Sequence, residues 1–317
     1  MVTASATAAQ TTIGVDRVAV SQRLLIAAAF SAGLAAVTYL LMVRTVLGQR
    51  FDNAALLGSL EQDPSSRVHD IFFLERINAA SFAAVLLIIV ALGFARRRRV
   101  LGVSVAVAAL VSVNGTDLLK DGVLTRPFLV ADDALRRANS FPSGHTATAI
   151  SCALALVVLS PPAIRGLVAI LAGSYSWIVA ADVQTAGWHR PSDAIGATLI
   201  CFAVICVVAA LLVRRRPTGS GLRLTHVPAF AVLIVVWGVS MTLAALNSVR
   251  VLRFLAHTSE PVQLTHALLN ESYQFSVNLT VAIVVTALII LLLLLGPYDL
   301  DEPATRATPA PSIDSAR

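Results

Sequence analysis

The sequence predicts an all-α fold, a polytopic bundle of membrane-spanning helices in which a six-span core carries the candidate site and two further C-terminal spans follow. Three observations predict it. The 317-residue chain is 57% hydrophobic and only 13% charged, a balance foreign to water-exposed domains. A bilayer crossing takes about 20 mostly apolar residues, and eight such stretches occur, near 24–43, 79–95, 100–119, 146–159, 164–183, 194–213, 228–246 and 277–295. Basic residues cluster in short connections, Arg96 to Arg99 and Arg214 to Arg216. Positive residues in short loops mark the cytoplasmic side.

With Arg17 and Arg23, these clusters place the N-terminus in the cytoplasm, and eight crossings return the C-terminus there. The net charge of +6 then reflects topology, and no nucleic-acid partner is implied. An Ala- and Val-rich composition with short loops points to a plasma membrane, the bacterial inner membrane. Residues 1–22 read as a disordered cytoplasmic lead without a signal-peptide pattern, and 23–216 as the six-span core. The Pro/Gly/Ser-rich stretch 217–227 reads as a cytoplasmic linker, 228–296 as the two additional transmembrane helices, and 297–317 as a disordered cytoplasmic tail.

In chain order, the first span ends near Arg44, and the mixed-charge segment 45–72 is expected to hold a short amphipathic helix lying on the membrane surface. Spans two and three form a hairpin across the four arginines. The fourth span is short because it stops at Pro161-Pro162 and starts at the turn Pro142-Ser143-Gly144-His145. Cys152, Cys201 and Cys206 all fall inside spans; they read as small core hydrophobes, and no disulfide framework, metal site or cofactor is suggested. His69, His257 and His266 read as surface histidines.

The Ser143 turn is the most informative stretch. A helix start presents free N–H groups and the positive end of the dipole, which hold an anion. Ser143 suits the N-cap. His145 adds a group able to carry a proton near neutral pH. By the span count, two other segments share this side of the membrane. Lys120 and Arg126 follow span three; His189 and Asp193 begin span six. Charge at membrane depth is costly unless it serves a site. Four residues apart, His189 and Asp193 meet if the helix begins by Pro191. A carboxylate on one ring nitrogen fixes the tautomer and frees the other to attack.

These segments resemble the type 2 phosphatidic acid phosphatase superfamily of membrane lipid phosphatases, whose ordered motifs are Lys-x6-Arg-Pro, Pro-Ser-Gly-His and Ser-Arg-x5-His-x3-Asp. The second is intact at Pro142 to His145, and the third keeps its later half at His189 and Asp193. The first is one residue short at Lys120 to Arg126-Pro127, a difference that a helical turn or local bulge absorbs. The resemblance covers about residues 75–213. It implies a metal-independent phosphohydrolase without cofactors, acting on a lipid phosphate or polyprenyl diphosphate at the extracytoplasmic face. His189 would attack phosphorus to form a phosphohistidine, Asp193 would orient it, and His145 would protonate the leaving oxygen. Lys120, Arg126, Ser143 and Gly144 would hold the phosphate.

The chain departs from the family pattern at Asp182 and Val183, where the third motif has Ser-Arg. The missing arginine motivates an alternative reading, a catalytically weak protein that binds or transports lipid phosphates. Arg190 is a candidate replacement, although adjacent residues do not share a helix face. Asp182 is a candidate partner for Lys120 or Arg126 in the resting site.

Overall fold

In the computed structural model, residues 17–130, 139–214, 227–256 and 265–296 are described. They fold into helices α1 (Arg17–Thr38), α2 (Val46–Leu60), α3 (Pro64–Leu74), α4 (Ala79–Ala95), α5 (Arg99–Leu118), α6 (Gly144–Leu159), α7 (Pro162–Thr185), α8 (Pro191–Arg214), α9 (Val227–Ala256) and α10 (His266–Leu295). Single π turns continue α1 over Tyr39–Val43 and α5 over Leu119–Val123. No strand occurs among the described residues. Stretches 1–16, 215–226 and 297–317 lie outside the described residues, and with them most of the expected lead and linker, the whole tail, Arg215 and Arg216; His257 does too.

Every expected span coincides with a helix. Among the described residues, six helices are long and apolar enough to cross a membrane. A seventh crossing arises if the α3–α4 pair, bent by 58°, is one broken span. The chain is thus a multi-pass membrane protein. Helix α6 is the exception in length. At 1.5 Å per residue it rises about 24 Å, short of the ~30 Å hydrocarbon layer. Its C-terminal end is level with the arginine hairpin, where Arg96 Nη1 donates to the Leu159 carbonyl at 2.6 Å.

Helix α6 is also the centre of the bundle. It packs against α5, α7 and α8, with contacts to α4 and α10, and twelve of its residues are buried. Its Ala-rich sequence lets those neighbours approach closely, the usual device for packing helices where lipid removes the hydrophobic drive. Helix α8 binds α1 on its other side, a contact closed by Arg214 Nε donating to Ser21 Oγ at 2.7 Å. Gly196 lies under Phe141, whose ring fills the place a Cβ would take. That contact presses the residues before Ser143 onto α8. The three cysteines are buried and free.

Two segments differ from expectation. Residues 45–72 form two helices, and α2 is not a surface helix. Gln49, Phe51, Asp52, Ala54, Ala55, Leu56 and Ser59 are buried, and α2 docks on α10. The apolar face satisfies the docking, while Asp52 finds partners inside. The last two helices also differ from one another. Helix α10 buries Val284, Val285, Leu288, Leu291 and Leu292 in the same apolar cluster as α6 and α8, whereas α9 packs chiefly on α10.

Candidate active site

One end of the bundle gathers the C-terminal end of α5 and the N-terminal ends of α6 and α8. Ser143 is the N-cap of α6, in extended backbone (φ −73°, ψ 121°), and its Oγ accepts from Thr146 N at 3.3 Å. Its own N–H donates to the Asp193 carbonyl at 3.0 Å. The two helix starts are thereby tied together. Asn139 Nδ2 donates to the carbonyls of Lys120, Leu124 and Phe141, so one amide pins the end of α5 to the same turn.

His189 lies just before α8, where local turn chemistry places it. Helix α7 ends at Gly187, whose φ of +69° is the left-handed conformation glycine adopts without strain. The Val183 carbonyl then accepts from both Trp188 N (3.1 Å) and His189 N (3.0 Å). Asp193 N donates to the Arg190 carbonyl at 3.1 Å, and Asp193 Oδ2 accepts from Arg190 N at 2.9 Å. This is one half of a capping box, a carboxylate at the third helical position reaching back to the N–H of the cap, while the return bond is backbone to backbone. The same Oδ2 meets His189 Nδ1 at 3.3 Å and accepts from Ser140 Oγ at 2.7 Å. Asp193 is fully buried and the His189 side chain is 13% exposed. Nδ1 is occupied by the carboxylate, so Nε2 is the nitrogen left for chemistry. The His145 ring lies 6.4 Å from the His189 ring and 5.3 Å from Trp188, centroid to centroid.

Both expected phosphate-binding cations already have partners. Lys120 Nζ pairs with Asp117 Oδ1 at 2.9 Å, one helical turn earlier. Arg126 Nη2 pairs with Asp52 Oδ2 at 2.9 Å across the chain. Arg126 sits on an irregular stretch held against α2, where Gln49 donates to the Pro127 carbonyl and accepts from Leu129 N. The π turn Leu119–Val123 lies within the shortened spacing from Lys120 to Arg126. Burial pushes the Asp52 carboxyl up from its ordinary value and the negative charge of Asp193 adds to this, while Arg126 and the Ser192 hydroxyl pull it down.

A groove of about 610 Å³ opens beside these residues. Asp117, Lys120, Gly144, His145 and His189 form its polar end, the carboxylate beside the ammonium it pairs with. Its remaining wall runs between α4 and α5, with Ala79, Phe82, Ala83 and Leu86 facing Leu110 and Val113. The spacing of three and four puts each set on one helix face. Ser143 and Asp193, both fully buried, support this end of the groove without lining it, as does Arg126. The arrangement can hold an anionic headgroup between two imidazoles and a lysine, with an apolar chain along α4 and α5.

The structure departs from the sequence reading in two places. Asp182 pairs with neither Lys120 nor Arg126; Asp117 and Asp52 take those positions. Arg190 does not stand in for the missing arginine, because its Nε donates to Asn53 Oδ1 at 3.1 Å on α2, and its side chain is buried there. Val183 is fully buried in an apolar cluster with Leu74, Ala149, Val179 and Ala194. The site residues that sequence reasoning missed are Asp52, Asn53, Asp117, Ser140 and Trp188. Asp117 was legible as a carboxylate three residues before Lys120. Gln49 and Asp52, three apart and both on the buried face of α2, are a local signal for that helix.

Residues 99–217 match the model of the PAP2 superfamily. The chain is similar, at 20% identity and a TM-score of 0.41, to the crystal structure of the first transmembrane PAP2 type phosphatidylglycerolphosphate phosphatase from Bacillus subtilis; the match covers 63% of this chain and 94% of that one. No curated protein matches.

Proposed function

Taking residues 99–217 as a segment of the PAP2 superfamily, we propose that this membrane protein is a metal-independent phosphohydrolase that removes phosphate from a lipid phosphate or polyprenyl diphosphate on the extracytoplasmic face of a plasma membrane. The observation that carries the reading is the groove itself. Its polar end is made by Asp117, Lys120, Gly144, His145 and His189, with Lys120 held in an ion pair by Asp117 that a phosphate would have to displace or share, and most of its length by apolar side chains of two helices in the bilayer. A soluble phosphate ester has no use for that wall; an acyl or prenyl chain does.

In the proposed reaction His189 Nε2 attacks phosphorus. The bond from phosphorus to the leaving oxygen breaks, and His145 gives that oxygen its proton. The positive charge that forms on the His189 ring is met by Asp193 at Nδ1. Lys120 and the free N–H groups at the start of α6 stabilise the charge on the phosphoryl oxygens. Water then attacks the phosphohistidine, returns a proton to His145 and releases inorganic phosphate. The 6.4 Å between ring centroids leaves room for a phosphoryl group between the imidazoles.

Phosphate release by the purified protein in detergent, with chelator present, tests the reading. The panel is a polyprenyl diphosphate, phosphatidic acid and phosphatidylglycerol phosphate. Release that survives chelator and disappears in His189→Ala is expected. The substitution of Val183 for the motif arginine favours a second reading, a lipid-phosphate binder without turnover. Lipid association by a folded protein that releases no phosphate would select it.

A further inference from the structure

We propose that Asp52 of α2 is a positioning residue for the phosphate site: it grips Arg126 by one nitrogen, leaves the other unpaired behind the groove, and links that arginine to the support of His189. The inference rests on the phosphohydrolase reading, and it adds a helix that lies outside the family-matched segment 99–217.

Arg126 carries an unsatisfied donor. Arg126 is almost wholly buried, its side chain 5% exposed, and Nη2 is engaged by Asp52 at 2.9 Å. Its Nη1 is buried and has no hydrogen-bond partner. Native proteins rarely leave a buried donor empty without a functional reason. Arg126 does not line the groove, so this unpaired charged donor lies behind the phosphate site, on a planar guanidinium whose other arm is fixed. A fully bidentate pair with Asp52 would have consumed both arms.

Asp52 is built for restraint and not for chemistry. It is fully buried and does not line the groove. Oδ2 accepts from both Arg126 Nη2 and Ser192 Oγ, the latter at 2.6 Å, and Oδ1 accepts from Ser192 N at 3.3 Å. The carboxylate therefore caps the start of α8, where the helix dipole favours it. Ser192 Oγ also lies 3.5 Å from Asp193 Oδ1, and Asp193 Oδ2 meets His189 Nδ1. A continuous series of polar contacts thus runs Arg126, Asp52, Ser192, Asp193, His189. The neighbouring Asn53 holds Arg190, just before the same helix. Two adjacent residues of α2 thus fix two arginines on either side of the nucleophile's support. Gln49, one turn earlier, clamps the stretch that bears Arg126.

A double-mutant cycle tests this with the full chain in detergent: wild type, Asp52→Asn, Arg126→Met and the double variant. Two quantities are read on each, kcat/KM for phosphatidic acid and the affinity for inorganic phosphate, with thermal unfolding as the check on folding. Misplacing a binding group by about 1 Å costs about 100-fold, so Asp52→Asn is expected to lower kcat/KM by about that factor and to weaken inorganic phosphate. Added to Arg126→Met, the same change is expected to alter neither quantity by more than about twofold, because Asp52 acts through Arg126. Wild-type values in Asp52→Asn would overturn the proposal, as would an equal loss in both backgrounds, the mark of a purely structural residue. Should Asp52→Asn alone fail to fold because the arginine charge is left unpaired, the double variant compared with Arg126→Met, both lacking that charge, decides on the same criterion. Should the wild type release no phosphate from any lipid, the phosphohydrolase reading fails while the inorganic-phosphate measurements still judge Asp52.

Discussion

Replacing Asp193 with asparagine removes one negative charge and little else. Its Oδ2 receives Ser140 Oγ at 2.7 Å, Arg190 N at 2.9 Å and His189 Nδ1 at 3.3 Å. An amide oxygen in that place keeps all three contacts, so the variant is expected to fold. What it loses is the attraction between the carboxylate and the charge that forms on the His189 ring during attack. Over 3.3 Å, at an effective dielectric of about 20, that attraction is about 5 kcal/mol. Part of it is already spent, because the Ser140 hydroxyl and a backbone N–H disperse the carboxylate's charge. At 1.36 kcal/mol per tenfold in rate, a residue of about 4 kcal/mol corresponds to a fall in kcat of about 10³-fold. The assay is phosphate release under single-turnover conditions with saturating lipid, alongside a thermal unfolding curve. A kcat within threefold of wild type, while His189→Ala is inactive, would refute the view that Asp193 supports the nucleophile electrostatically.

Two further changes probe the departures and the groove. Val183→Arg, which installs the arginine of the motif that this segment resembles, is expected to harm rather than help. It buries an unpaired charge beside Leu74, Ala149 and Val179, which costs about 3–5 kcal/mol. The measurement is the unfolding midpoint in detergent, and an unchanged midpoint with raised activity would contradict the packing argument. Ala83→Trp places an indole on the apolar wall between α4 and α5. Blocking burial of about two methylenes is worth about 1.6 kcal/mol, so KM for a long-chain lipid phosphate should rise about tenfold relative to a short-chain ester. Equal effects on both chain lengths would remove the lipid chain from this groove.

Much of the fold was legible because membrane helices obey a simple local rule. Apolar runs of sufficient length form helices wherever backbone groups have no water to bond. The eight expected stretches all became helices, and Ser143 became an N-cap through chemistry confined to four residues. The pair His189 and Asp193 was also local, since a spacing of four at a helix start is enough to bring two side chains together. A π turn over Leu119–Val123 overlaps the shortened spacing from Lys120 to Arg126.

Long-range partners were illegible for the opposite reason. A surface position for residues 45–72 followed from their mixed charge, yet α2 is buried because Asp52 meets Arg126 and Ser192. A carboxylate that pairs 74 residues away leaves no periodic trace near itself. The fate of Arg190 was equally hidden, because only the position of α2 turns it toward Asn53.

The sequence by itself determined that this chain crosses a membrane repeatedly, and that Lys120, Arg126, Ser143, His145 and His189 share one end of the bundle. Those properties depend on residue type and on spacings within a few turns of helix. Only the tertiary structure decided that both cations rest in ion pairs, that Val183 packs into an apolar cluster, and that α4 and α5 extend the polar end into an apolar groove. These properties depend on which helices lie side by side, and that is settled by the summed packing of the whole bundle around α6.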